Sequence, residues 1–233
     1  KYCPDLNPPW ITSCFDNSED TIYIDLSVVN HKYVLAHEIG HQCHEDSIGL
    51  IWGGYNNDAP EEDWQCRCDH VVSSNQEHCM QSREAIATAI MEGFGYFFAA
   101  KLFNDENEPN CKMAHSKEFI EPNPSDPENY DAATIHVPPV TYDCREQVQW
   151  QETWCDAADT GVEWDWMNFF WEWHSGGGSN PNAAYMWQVY YVINDAYDWD
   201  EVRANALALW NNDDTDPKFL YFEDTAGDYG VIQ

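Results

Sequence analysis

The stretch VLAHEIGHQCHED, Val34 to Asp46, decides how the rest of the chain is read. His37, Glu38, His41 and His44 fall within two turns of what its pattern predicts to be a helix. Tyr33, Val34, Leu35 and Ile39 make that helix apolar enough to lie inside. Buried imidazoles and a buried carboxylate need partners, and a metal ion supplies them. His37 and His41 are four residues apart, so their rings share one face and two nitrogens can reach one ion. Zinc takes imidazole nitrogen readily. Glu38 points to a different angle, where it can act as a general base without binding the metal. This is the logic of the HExxH motif. Gly40 leaves room for the close approach of another element.

His44 shares the face, but it stands about 10 Å from His37 along the helix axis at ~1.5 Å per residue. One ion cannot join the two, so His44 is expected at the surface or supporting the ligands from behind. The longer HExxHxxGxxH pattern is absent.

The third ligand is sought as a second carboxylate where none belongs. AIATAIMEGFGYFFAA, Ala85 to Ala100, is apolar on all sides at helical period, and Glu92 is its one charge. A helix of that kind is buried all round. Ile86, Ile90, Phe94 and Phe97 form a greasy stripe, and Glu92 lies opposite among Ala85, Thr88, Ala89, Gly95 and Ala99. Those small side chains let the second helix press on the first and bring Glu92 to the metal. Pairing of Glu92 with an Arg or with a helix N-terminus is the competing reading, and Glu84 is the alternative ligand.

HEIGH followed by a helix bearing MEGFGYFF resembles the gluzincins, the zinc peptidases related to thermolysin. The later NPNAAYMWQVYYVINDAYDWDEVRANALAL is also similar to their C-terminal helix pair. The resemblance implies Zn2+ held by His37, His41 and Glu92, with Glu38 activating water for peptide-bond hydrolysis. It implies a donor to the transition state as well, for which Tyr185 is the first candidate and His174 and Tyr191 follow. It covers 37–103 well and 180–210 weakly. Only 36 residues precede HEIGH, fewer than most zincin N-terminal sheets need.

Composition bounds the setting. Ten Lys and Arg against 42 Asp and Glu give a net charge of −32. Nucleic acid and anionic membrane surfaces are poor partners for such a chain, since phosphate binding needs Lys and Arg. A solvated surface explains the charge; selection of basic substrates is the sharper alternative. No run approaches the length of a transmembrane helix, which leads us to expect a soluble chain. Nine cysteines without a C-x-x-C pair favour disulfides and a secreted or periplasmic setting over a zinc ribbon. Cys3 with Cys14 and Cys144 with Cys155 are plausible local bridges, and an odd count leaves one thiol over. Beginning at Lys1 with no signal peptide, the sequence reads as a trimmed chain.

The expected fold is α+β and mostly helical: a small N-terminal sheet, an active-site helix, a glutamate-bearing helix and a helical C-terminal part, with disulfides. One catalytic domain over 1–233 is expected, with two lobes possible about 104–140. TIYIDLS reads as a strand, 1–20 as loop, 82–102 and 145–173 as helix, 174–182 as a flexible turn, 183–196 and 199–211 as helices, and the tail as loop. Trp166, Phe169, Phe170 and Trp173 fit one helical face, as core or as the wall of a cleft. The Asp-rich loops leave Ca2+ open without an EF-hand register. The expected function is a secreted zinc peptidase acting on a peptide or protein substrate. The rivals are a zinc-bearing binding protein without catalysis and an acidic, calcium-dependent adhesion module.

Overall fold

A computed structural model describes residues 13–16, 21–24, 32–48, 83–109, 111–112, 119–120, 135–136, 141–142, 144, 160–176 and 180–232. Helices dominate. The chain runs β1 (Ser13–Asp16), β2 (Thr21–Ile24), α1 (Lys32–Ile48), β3 (Arg83–Ala85), α2 (Ile86–Phe103), four two-residue strands β4 to β7 between 111 and 142, β8 (Thr160–Val162), α3 (Glu163–Ser175), α4 (Met186–Val192), α5 (Trp199–Leu209) and α6 (Pro217–Asp228). Among the described residues strands pair only in twos. The N-terminal sheet is therefore a two-stranded hairpin, β1 against β2, and β1 falls where the sequence reads as loop. The expected zincin sheet is not present among the described residues.

β3 and β8 pair antiparallel, with Glu84 opposite Gly161. Each strand runs straight into a helix, β3 into α2 and β8 into α3. Glu84 thus sits in a strand, not at the start of the second helix. α3 begins only at Glu163, and 145–159 lie outside the described residues.

α2 is the centre of the molecule. Ile86, Ile90, Phe94 and Phe97 are buried, as the stripe predicted. By length and composition this helix could cross a bilayer, which corrects the reading that no run comes near that length; here 67% of it is buried inside the protein. Its partner α3 fits against it at Gly93. A Cβ there would stand 2.6 Å from Trp166 Cβ and 2.8 Å from the Glu163 carbonyl oxygen. Backbone cannot retreat as a flexible side chain can. Gly93→Ala is expected to cost about 1–3 kcal/mol of stability, read as a lower denaturant midpoint at unchanged slope.

The Trp-rich segment forms core. Trp166, Phe169, Phe170 and Trp173 are all buried, which removes them from any cleft wall. Phe169 stacks on Trp173 at 5.9 Å and Trp199 on Phe222 at 5.4 Å, while Trp173 meets Phe222 edge-on at 5.0 Å. Offset and edge-to-face pairs of this kind add to the area they bury. Phe222 belongs to α6, a helix in the tail that was expected to be loop. Asp216 caps it by accepting from the Lys218 N–H at 2.8 Å, and Pro217 opens its first turn. Phe219, Phe222 and Ala226 form its buried face.

α3 continues through His174 and stops at Gly176, whose φ of 61° is the left-handed turn that ends many helices. The expected turn therefore starts two residues later, and 177–179 lie outside the described residues. Of the expected bridges, the Cys3 half of one and the Cys155 half of the other also lie outside them. Cys144 is buried and disulfide-bonded, and Cys43 keeps its thiol.

Candidate metal centre

α1 and α2 lie antiparallel, which the contacts show in sequence order. Tyr33 meets Phe103 at 5.1 Å, His37 meets Tyr96 at 4.3 Å, and His44 meets Phe94 at 5.5 Å between ring centroids. Between them the backbones come close at two glycines. A Cβ on Gly40 would stand 3.0 Å from Gly95 Cα. A Cβ on Gly95 would stand 2.9 Å from both His37 and His41 ring carbons. Gly95 is the floor on which the two imidazoles rest.

On that floor three donor atoms converge. His37 Nε2 is 2.9 Å from His41 Nε2 and 3.0 Å from Glu92 Oε2, and His41 Nε2 is 3.2 Å from the same oxygen. The His37–His41–Glu92 group is close enough to hold a metal ion, and it is the one such group among the described residues. Bonds of about 2.0–2.1 Å in a tetrahedron set ligand atoms roughly 3.3 Å apart, close to these separations. The chemistry of the donors agrees. Two imidazole nitrogens facing each other share at most one proton between them, and a buried carboxylate beside them needs positive charge. Two imidazoles and one carboxylate fit zinc. Glu92 meets both histidines, His37 at 3.0 Å and His41 at 3.2 Å.

Glu38 is buried one residue from His37. At about 100° per residue it leaves the face that touches α2. For His44, burial removes one of the two expected places. It is buried, not at the surface, because it stands three residues beyond His41 on the side of α1 that α2 covers. Burial, then the nearby His41, pulls its pKa down to about 3. The sign follows directly. Between the ordinary value of 6.5 and about 3 the folded chain binds fewer protons than the unfolded one, so stability falls as pH drops through that window. Chelated protein is expected to lose several kcal/mol between pH 6.5 and 3, and His44→Phe is expected to flatten that slope. Denaturant melts across the range check it.

The transition-state donors proposed from the sequence are elsewhere. Tyr185 heads α4, 65% exposed, and its N–H donates to Gln188 Oε1 at 2.8 Å. No hydrogen bond or ring contact joins it to the three ligands. His174 Nδ1–H donates to the Ala184 carbonyl at 2.8 Å, and its ring meets Phe97. Desolvation and Lys101 lower its pKa. Tyr191 is exposed on α4. The tyrosine against the cluster is Tyr96, whose ring lies on His37. Its signal was its spacing: four residues after Glu92, it shares that face of α2.

Tyr190, on α4, links this region to the rest of the core. Its ring is 5.1 Å from Phe94 and its hydroxyl is hydrogen-bonded with Cys43, two residues after His41. Burial, then the Cys43 thiol, raises the phenol's pKa.

Gly95→Ala is expected to weaken zinc binding about 10–100-fold, as loss of support behind a ligand does. The new methyl must push both imidazoles aside. Competition against a zinc chelator reads the change.

No known protein family, no curated protein and no solved structure matches this chain. The likeness to gluzincins therefore rests on the site residues, and the chain is a mostly helical protein whose two histidines and one glutamate stand close enough to hold a metal ion.

Proposed function

We propose that this chain is a zinc-dependent peptidase with a gluzincin-like ligand set. The convergence of His37 Nε2, His41 Nε2 and Glu92 Oε2 within 2.9–3.2 Å of one another carries the reading. His37, His41 and Glu92 would hold the ion. Zinc, when bound with an open position, polarises a carbonyl and makes water acidic near neutral pH.

The chain's own residues supply the rest. Glu38 accepts a proton from the attacking water as its oxygen bonds to the carbonyl carbon. It returns that proton to the amine as the C–N bond breaks, so one water is added across the peptide bond. Tyr96 keeps the His37 ring in place by lying on it. Tyr185 is not carried forward as a donor, because its contacts stay within α4. A secreted or periplasmic setting agrees with the nine cysteines.

A zinc-bearing protein without turnover would use the same three ligands. A calcium-dependent module draws no support from the described residues, where the one donor cluster is His37, His41 and Glu92. The test is cleavage of a broad peptide library by purified protein, then by chelated protein, then after zinc is returned. Cleavage that vanishes with the chelator and returns at about one zinc per chain is expected. Zinc bound with no cleavage in any sample contradicts the enzyme reading.

A further inference from the structure

Eight large apolar side chains are exposed among the described residues. Four of those eight lie between 185 and 197, and all four are aromatic: Tyr185 at 65%, Trp187 at 59%, Tyr191 and Tyr197 at 45% each. Scattered exposed apolar residues are ordinary, but a cluster marks a surface for binding. Trp187 and Tyr191 are four apart on α4, so their rings share its outer side. The inner side, with Val189 and Val192, is core. Tyr190 lies between the two sides and touches Phe94 and Cys43. The exposed face therefore begins beside the helix that carries His37 and His41.

Charge selects what such a face can hold. Asp195, Asp198, Asp200 and Glu201 are exposed in the turn and first residues that follow α4. Between Arg145 and Arg203 the sequence has no Lys or Arg. Aromatic faces attract cations through their quadrupoles, and the carboxylates at their rim carry the same preference. An acidic segment would meet repulsion and nothing to pair with.

We infer that the outer face of α4 receives a Lys- or Arg-rich peptide segment. It is the surface by which the proposed peptidase holds its substrate. The word substrate rests on the peptidase reading; the binding itself needs neither metal nor turnover. Sugars also stack on aromatic rings, but they gain nothing from this charge, so peptide is the favoured occupant.

Calorimetric titration of the chelated 233-residue chain tests it. The probes are three peptides of equal length, one rich in Lys and Arg, one neutral and one rich in Asp and Glu, together with a neutral oligosaccharide. The cationic peptide is expected to bind at least about tenfold more tightly than the others, and less tightly as salt rises. The double variant Trp187→Ala, Tyr191→Ala is expected to lose about tenfold of that affinity. Both side chains are exposed, so its melting temperature is expected to match the parent's. Trp187→Gln alone is the second variant, with a smaller loss of the same sign. The double variant keeps every carboxylate, so its loss identifies the rings and not the net charge. Unchanged affinity in both variants overturns the inference, and so does neutral peptide or oligosaccharide binding as tightly as the cationic peptide. Cationic binding without zinc-dependent cleavage would end the peptidase reading and leave this face standing. Cleavage with no cationic preference would do the reverse.

Discussion

Glu38→Gln is expected to lower zinc-dependent peptide hydrolysis by about a thousandfold or more while zinc stays at one per chain. General acid–base catalysis contributes roughly 10²–10⁴-fold, and Glu38 is the carboxylate of the HExxH turn that is not a ligand. Gln has the same shape, so the buried position next to His37 loses its charge and basicity but little of its packing. Metal affinity and unfolding temperature are expected to change little. Assay beside metal analysis separates this outcome from loss of the site. A variant that retains activity within about tenfold of the parent would place the base elsewhere.

Removing the third ligand is expected to have the second-largest effect, on metal affinity. Glu92 Oε2 lies 3.0 Å and 3.2 Å from the two imidazole nitrogens, so Glu92→Ala takes away the one anionic donor of the group. Losing a residue behind a ligand costs about 10–100-fold, and losing the ligand itself exceeds that. The loss can be read as stability. At zinc near 1,000 times Kd the parent gains about 4 kcal/mol, by linkage of binding to folding. A hundredfold weaker site gains about 1.4 kcal/mol at the same zinc. The zinc-induced rise in melting temperature should therefore shrink to about a third or less. An undiminished rise in Glu92→Ala would mean that zinc binds without this carboxylate.

The parts of the site that were legible in the sequence share a physical cause. A charge is conspicuous where the pattern calls for burial, and Glu92 is the one charge in Ala85–Ala100. Small residues on its face foretold a close helix contact, and Gly95 beneath both imidazoles is that contact. The histidine spacing fixed its own geometry because four residues span about one helical turn. His44 shares the α2 side of α1; its distance from His37 along the axis left the surface and a supporting place both open, and packing against Phe94 buries it.

Other features depended on contacts that local pattern does not encode. β3 and β8 are three residues each, and neither is a strand without the other. The α6 face of Phe219, Phe222 and Ala226 is hidden in the sequence by the Asp-rich residues around it, which cap and solvate the helix. Tyr185 was assigned by its place at a helix head. Which way that helix faces is set by Tyr190, which turns toward Phe94 and Cys43 and leaves Tyr185 outside. The N-terminal hairpin was half legible, because β2 alternates and β1 does not.

The most direct test of the account is an anomalous difference map collected at the zinc edge from crystals of zinc-loaded protein. The account predicts one strong peak within about 2.0–2.1 Å of His37 Nε2, His41 Nε2 and a Glu92 oxygen. A map with no peak there, or with zinc bound only at other residues, would contradict it.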